Sequence, residues 1–386
     1  MLTFEKFTGI NNVVPGHRHK QTDLAQALNV DIGLDKEIHR RAGFTRVVED
    51  CHKNLWQALG FMLATCNGDL VRSDNGVRTV LLPSLGSDRV WYCNLPDGRT
   101  SFSNGLINGL TDGTLAGTTT WGPPIPAGVG AATDVPGSLF PGEYQRAFTY
   151  VRLSDGLEGP PAYAPPVTVA SGGLLCTGLP TLDGHAINVY LSSHNGAELF
   201  LAGQTLGPAF SFTQANERLV LPLRTHMLEP MPVGTLTAFW RGRVLVAKGN
   251  VLFASLPHRW ELCDLRRDFK QFTAPITLVQ PVDGGVFVGT EHELAFLGGT
   301  TWDGLVYSRR IQGRTVLGSG VTVPGEKLGA SPVDAMVGIA GGELVAGFAD
   351  GTTKVLTADR YRTAVTEVAA TFREVNGIPQ YIAVPQ

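Results

Sequence analysis

Four stretches of this chain repeat one short pattern: a glycine, any residue, three apolar residues, then a small one. They are 60–65 (GFMLAT), 242–247 (GRVLVA), 284–289 (GGVFVG) and 342–347 (GELVAG). A second apolar run follows each about ten residues after the glycine, at Leu70-Val71, Val251–Phe253, Leu294–Phe296 and Thr353–Leu356. Cys66-Asn-Gly, Lys248-Gly-Asn, Glu291-His-Glu and Ala349-Asp-Gly supply a polar turn between the two runs. Each unit therefore reads as a β-hairpin, and its unbroken apolar triplet suits a strand covered on both faces.

The glycines at 242 and 284 are 42 residues apart, and those at 284 and 342 are 58 apart. A period near 40 to 50 residues with one buried hairpin per unit is the signature of a β-propeller with four-stranded blades. The expected fold is all-β, a propeller of five to six blades. Composition agrees: 47 glycines and 24 prolines in 386 residues disfavour helices, and only 17% of residues are charged. With 43% hydrophobic residues the chain has the opposite balance to a disordered one. Asp-Gly and Asn-Gly pairs, which supply the positive φ of tight hairpins, punctuate the whole length. Only 22–30 (TDLAQALNV) and 54–63 have helix-like apolar spacing.

The net charge of −3 gives no global reason to hold nucleic acid or an anionic membrane. The opening MLTFEKFTGINN carries no leader-like pattern, and the uncharged stretches 113–133 and 159–182 are broken by Pro, Gly and Thr, so no membrane insertion is expected. The five cysteines, Cys51, Cys66, Cys93, Cys176 and Cys263, are widely spaced with no C-x-x-C, and read as small buried free thiols of a reducing compartment.

Between the first repeat and the rest the texture changes. Residues 113–141 read as a loop or linker rich in Gly, Thr and Pro. Alternating strands follow at 144–151 (YQRAFTYV), 187–191 (INVYL), 198–202 (ELFLA) and 210–212, with a D-G-x-E-G-P-P turn after the first. Together they resemble a fibronectin type III or immunoglobulin-like sandwich, inserted between blades over Pro136–Leu223. The expected organisation is an N-terminal arm with first strands over 1–53, the first blades over 54–135, the insertion over 136–223 and the remaining blades over 224–386.

Residues that invite a chemical reading have plainer ones beside them. His17 and His19 lie on one side of an extended chain without a nearby third ligand, so no metal site is expected. Ser73-Asp-Asn-Gly and the Thr-Trp pairs at 120 and 301 are fragments of an Asp-box without its full spacing. Glu261, Asp264, Asp268, Glu291 and Glu293 are carboxylates that a glycan-cleaving site could pair. Phosphate-loop, nucleophile-elbow and metalloprotease motifs are absent. Arg259, Arg266, Arg267 and Lys270 are interleaved with Trp260 and Phe269, yet Glu261, Asp264 and Asp268 cancel most of that charge. The expectation is no catalytic residue, no cofactor and no metal.

The first fifty residues carry a more specific likeness. Phe7-Thr-Gly-Ile-Asn-Asn-Val leads to 24–32 (LAQALNVDI) and then to 35–44 (DKEIHRRAGF). This opening, with 230–261 (PMPVG, then RGRVLVAKGNVLFAS, then LPHRWE), resembles phage virion proteins that continue into a propeller, the nozzle proteins of short-tailed phages. Ala42 stands where that pattern has proline, and Leu34-Asp35 replaces its glycine turn. The resemblance implies a structural tail component of the virion, assembled in the bacterial cytoplasm. It implies a hexameric ring of this chain below a portal and adaptor, through which DNA passes transiently, and which holds a tail tip or fibres. Interface residues would then be Phe7, Asn11, Asn12, Asn29, Asp31, Arg40, Arg41 and Phe44. The alternative is a propeller that binds or cleaves host glycan.

Overall fold

The computed structural model describes residues 6–386 apart from Leu34, Phe44, Val47, Asp50, Cys51, Asn75 and Asn376. Expectations that fall on Phe44, on the Cys51 thiol and on the turns at 75 and 376 therefore lie outside the described residues. The protein is all-β, and its chain divides into two compact units. Unit 1 comprises residues 1–120, 233–254 and 269–386, and unit 2 comprises 121–232 and 255–268. The sequence pattern starts the insertion at Pro136, whereas unit 2 starts at Trp121 and recruits a second, short segment.

Unit 1 holds five four-stranded antiparallel sheets, four built from consecutive strands and the third interrupted before its last strand by Leu262–Cys263, which pairs elsewhere. Their strands are, in order, His52–Gln57, Met62–Cys66, Asp69–Asp74 and Val77–Leu82; Trp91–Asn94, Thr100–Ser103, Asn108–Thr111 and Thr119–Thr120; Thr235–Trp240, Arg243–Lys248, Val251–Ala254 and Phe269–Gln271; Ile276–Val282, Gly285–Thr290, Glu293–Gly298 and Val306–Gln312; Val321–Pro324, Asp334–Ala340, Glu343–Gly347 and Thr353–Val355. A two-stranded hairpin, Val368–Val375 with Ile378–Pro385, follows the fifth. The four sequence repeats are the second and third strands of the first, third and fourth sheets and the third and fourth strands of the fifth.

The structure explains why that pattern repeats. Its apolar triplets are buried, apart from exposed Met62 and half-buried Leu344, as strands packed between neighbouring sheets are. Phe287 of the fourth sheet lies in one core with Phe296, Met336 and Val345, which joins the fourth sheet to the fifth. Phe61, Leu70, Tyr92 and Phe102 join the first sheet to the second. The small residue that ends the pattern makes room for a neighbour: a Cβ on Gly347 would lie 2.6 Å from the Phe287 ring. The leading glycine turns the chain with positive φ at Gly60, Gly242 and Gly342.

The second sheet carries the same hairpin in polar dress. All eight residues of Thr100–Ser103 and Asn108–Thr111 are buried, yet five of them are Thr, Ser or Asn. Their hydroxyls are satisfied within the fold: Thr100 donates to Asn94 Oδ1 at 3.0 Å and Ser101 to the Cys93 carbonyl at 3.4 Å, both nearby in the chain, and Ser103 to the distant Gly234 carbonyl. Two expectations are corrected. The stretch 54–63 is not helical, because Trp56 pairs with Leu63 in an antiparallel hairpin whose turn holds Phe61. Nor is 22–30 helical, since Asp23–Leu24 pairs in parallel with Gly9–Ile10.

In unit 2, a three-stranded sheet orders Ala131–Pro136, Gly172–Thr177 and Ala209–Phe212. A four-stranded sheet orders Ala162–Val169, Gly142–Arg152, His185–Ser192 and Leu199–Thr205. Tyr144, Phe148, Ile187 and Val189 from the second meet Leu174, Cys176 and Phe212 from the first in one core. Residues 113–141, read from sequence as a linker, thus contain an outer strand of a sheet. Pro165 and Pro166 are tolerated because their strand is an edge.

Candidate assembly site in the N-terminal arm

The arm is two small sheets linked by turns: Gly9–Ile10 beside Asp23–Leu24, and Val30–Ile32 antiparallel to Ile38–Arg40. Asn11 holds the first together. Its Nδ2 donates to Asp23 Oδ2 at 3.1 Å, and its Oδ1 accepts the Val13 and Val14 amides at 3.2 Å each. Asp23 also accepts from the Thr8 hydroxyl at 2.9 Å, and that hydrogen bond holds its carboxyl below the usual range. Asn11 is the buried residue among the described residues of the arm before His52.

Asn12 faces outward to a different partner. Its N–H donates to the Arg360 carbonyl at 2.9 Å, its Nδ2 donates to the Arg362 carbonyl at 2.7 Å, and its Oδ1 accepts the Arg362 N–H at 2.8 Å. The carboxamide thus imitates a neighbouring β-strand toward residues 360–362, which follow the fifth sheet. The Arg360 guanidinium completes the contact by donating to the Thr8 carbonyl at 3.2 Å.

Of the other expected interface residues, Asp31 and Arg41 pair with each other at 2.9 Å and brace the second hairpin. Asn29 takes the left-handed conformation, φ 54°, and its carbonyl accepts the Arg41 N–H. Arg40 is exposed, and the Phe7 N–H donates to the Lys36 carbonyl. The structure brings Asn11, Asn12, Asp31 and Arg41 into one arm. It adds Arg360 and Arg362, which no local pattern links to Asn12. Leu28 and Ile38 are exposed on the same arm, Leu28 at 74%.

The candidate chemical residues are otherwise engaged. Glu261 is buried in unit 2, where Arg152 grips it through two bonds of 2.6 and 2.9 Å and the Gly122 N–H adds a third at 2.7 Å. Asp264 accepts Arg266 Nε and Nη2 at 2.9 and 2.7 Å, and this pairing pushes its carboxyl down to about 2. Arg267 lies 3.6 Å from the same carboxylate, so part of the basic run is compensated. Asp268 accepts the Asp264 N–H at 3.3 Å. Glu293 takes the Tyr307 hydroxyl and lies 3.4 Å from Arg309, while Glu291 is exposed. His19 binds the Val14 carbonyl across a turn that includes His17. The one grouping of possible metal ligands among the described residues is Asp35, Glu37 and His39, all exposed. Trp302 of the second Thr-Trp pair is a core residue beneath Lys270.

Unit 1 also holds a cavity of about 1540 Å³ that is open to solvent. It is lined by residues of the first strand of each of the five unit 1 sheets and by the base of the final hairpin. Its charges are of both signs, with Arg89 on Glu367 at 2.9 Å and Arg241 on Asp283 at 3.2 Å.

No sequence family matches the chain, and no curated protein does. Solved structures that align include BBS1N in complex with ARL6DN, at 9% identity and a TM-score of 0.30 over 87% of this chain and 89% of that one. KlHsv2 with its loop 6CD replaced aligns at 8% identity and 0.32 over 87% and 98%. AztD of Citrobacter koseri aligns at 12% and 0.26 over 86% and 89%. At such scores these likenesses carry no argument about this chain.

Proposed function

We propose that this chain is a non-enzymatic structural protein of a phage tail, a nozzle-like component that assembles into a ring. In this reading unit 1 is a β-propeller of five blades, each with its first strand on a central cavity, and the final hairpin stands beside the fifth blade. Unit 2 is an immunoglobulin-like insertion between the second and third blades. Its four-stranded sheet keeps the C′-C-F-G order of such domains. The three-stranded sheet departs from it, because its last strand, Ala209–Phe212, occupies the place of strand D.

The observation that carries the assembly reading is the arm. The stretch whose motif resembles the phage proteins folds as a separate polar appendage, held by Asn12, that leaves Leu28 and Ile38 exposed. Appendages with so little apolar burial contribute little to their own fold, so their use lies in contacts with something else. The ring would sit below a portal and adaptor, let DNA pass, and carry a tip or fibres. Its near-neutral charge suits a conduit that must not grip phosphate. The glycan-cleaving alternative has weaker support, since Glu261, Asp264 and Glu293 are each committed to a cation.

Mass photometry of the purified chain, alone and with portal and adaptor proteins, tests this. The expected result is a discrete multimer. A monomer under both conditions, or depolymerisation of host polysaccharide on incubation, overturns it.

A further inference from the structure

We infer that the N-terminal arm is exchanged between copies, so that Asn12 of one chain clamps residues 360–362 of the next. The inference rests on the ring reading and names its joint.

The clamp is suited to exchange because it is portable. Asn11 and Asp23 bond within the arm, and Asp23 also lies 3.8 Å from the Arg360 guanidinium, so it belongs to the joint as well. Asn12 reads backbone: one N–H and one carbonyl of Arg362 and one carbonyl of Arg360. The arm joins the first sheet through residues 42–51, whose described members are exposed except for half-buried Val48. Ten residues of extended chain reach at most about 35 Å, enough to cross to an adjoining copy.

Energetics point the same way. The same bonds form whether Asn12 and Arg362 belong to one chain or two, so the choice is set by effective concentration. In a solitary chain the tether favours the internal contact. In a ring a neighbour's 360–362 segment competes with the internal one, and cover for exposed Leu28 and Ile38 would favour the exchange. Tyr361, exposed between the two clamped residues, then lies at the joint.

Cross-linking distinguishes the two arrangements. Val13→Cys and Tyr361→Cys are placed separately in two differently tagged full-length chains, each with Cys51→Ser, so that Asn12 and Arg362 stay intact. The chains are co-expressed and treated with a short bismaleimide. Exchange predicts a covalent dimer carrying both tags, and Asn12→Ala should lower its yield at least about tenfold. The double variant V13C/Y361C should form ladders of several chains. Cross-links confined to single chains, or no cross-link at all, overturn the inference. Mass photometry of the untreated sample reports separately whether a multimer exists, so a ring with only internal cross-links defeats exchange and leaves the ring standing.

Discussion

Arg89 and Glu367, 278 residues apart, form an ion pair of 2.9 Å beside the cavity of unit 1. The same guanidinium donates to the Val368 carbonyl at 2.8 Å and lies 4.1 Å from the centre of the Trp91 ring. It therefore links the connection between the first two sheets to the base of the final hairpin. A Cβ on Gly318 would lie 2.2 Å from Arg89 Nη2, so the passage for this side chain requires glycine there.

Arg89→Ala should destabilise unit 1 by about 1–2 kcal/mol, since Glu367 is partly exposed and solvent screens the pair. Hydrogen exchange would read the loss first in the hairpin 368–385. Unchanged protection there would show that the link is incidental.

Removing one partner of a buried pair costs more than losing an exposed one. Glu261→Ala removes the buried partner of Arg152, whose side chain is 7% exposed, and leaves it beside the part-exposed Asp155. Loss of about 3–5 kcal/mol is expected, measured by urea unfolding. Replacing both residues by Met should recover much of the loss, because an apolar pair leaves no buried charge.

The second sheet and the N-terminal arm mark how far the sequence could be read. The hairpin glycines at 60, 242, 284 and 342 disclose four sheets, because sheets covered on both faces leave unbroken apolar runs. Gly98 begins the same turn with φ 87°, but the strand after it is Thr-Ser-Phe-Ser, and hydropathy does not see buried hydroxyls that find acceptors inside the fold. Asn12 stands out in sequence. Its partner does not, since a carboxamide bound to backbone places no demand on residue type at 362. The expected helix over 54–63 failed because its apolar residues fall on two strands, with Trp56 opposite Leu63, and on the turn between them that holds Phe61.

Acid should weaken unit 2 through Asp264. Its folded carboxyl titrates near 2 against an ordinary 3.8, so its contribution is present above about pH 4 and is lost as pH falls toward 2. Asp264→Asn should flatten the stability profile in that window. An identical profile would mean that other carboxylates carry the acid sensitivity.

Burial pushes the thiols of Cys93 and Cys263 up to about 12, and Cys66 and Cys176 are buried as well. At pH 8 almost none of Cys93 or Cys263 is thiolate. A Cys51→Ser chain should therefore resist iodoacetamide while folded and take up four equivalents in denaturant. Rapid labelling of the folded chain would contradict this packing.

Gly347 faces Phe287 across the fourth and fifth sheets. Gly347→Ala should cost about 1–3 kcal/mol by overpacking, and Phe287→Leu in the same chain should return part of it. Additive losses in the double variant would show that the two positions do not press on one another.

The central claim is that copies of this chain assemble into a ring, with the arm at the joint. Single-particle cryo-EM of the species formed with portal and adaptor tests it most directly. The account predicts a closed ring, six copies in the nozzle-like case, with density for each arm at a contact between neighbours. Isolated 41.2 kDa particles, or a ring whose arms face away from every neighbour, would contradict it.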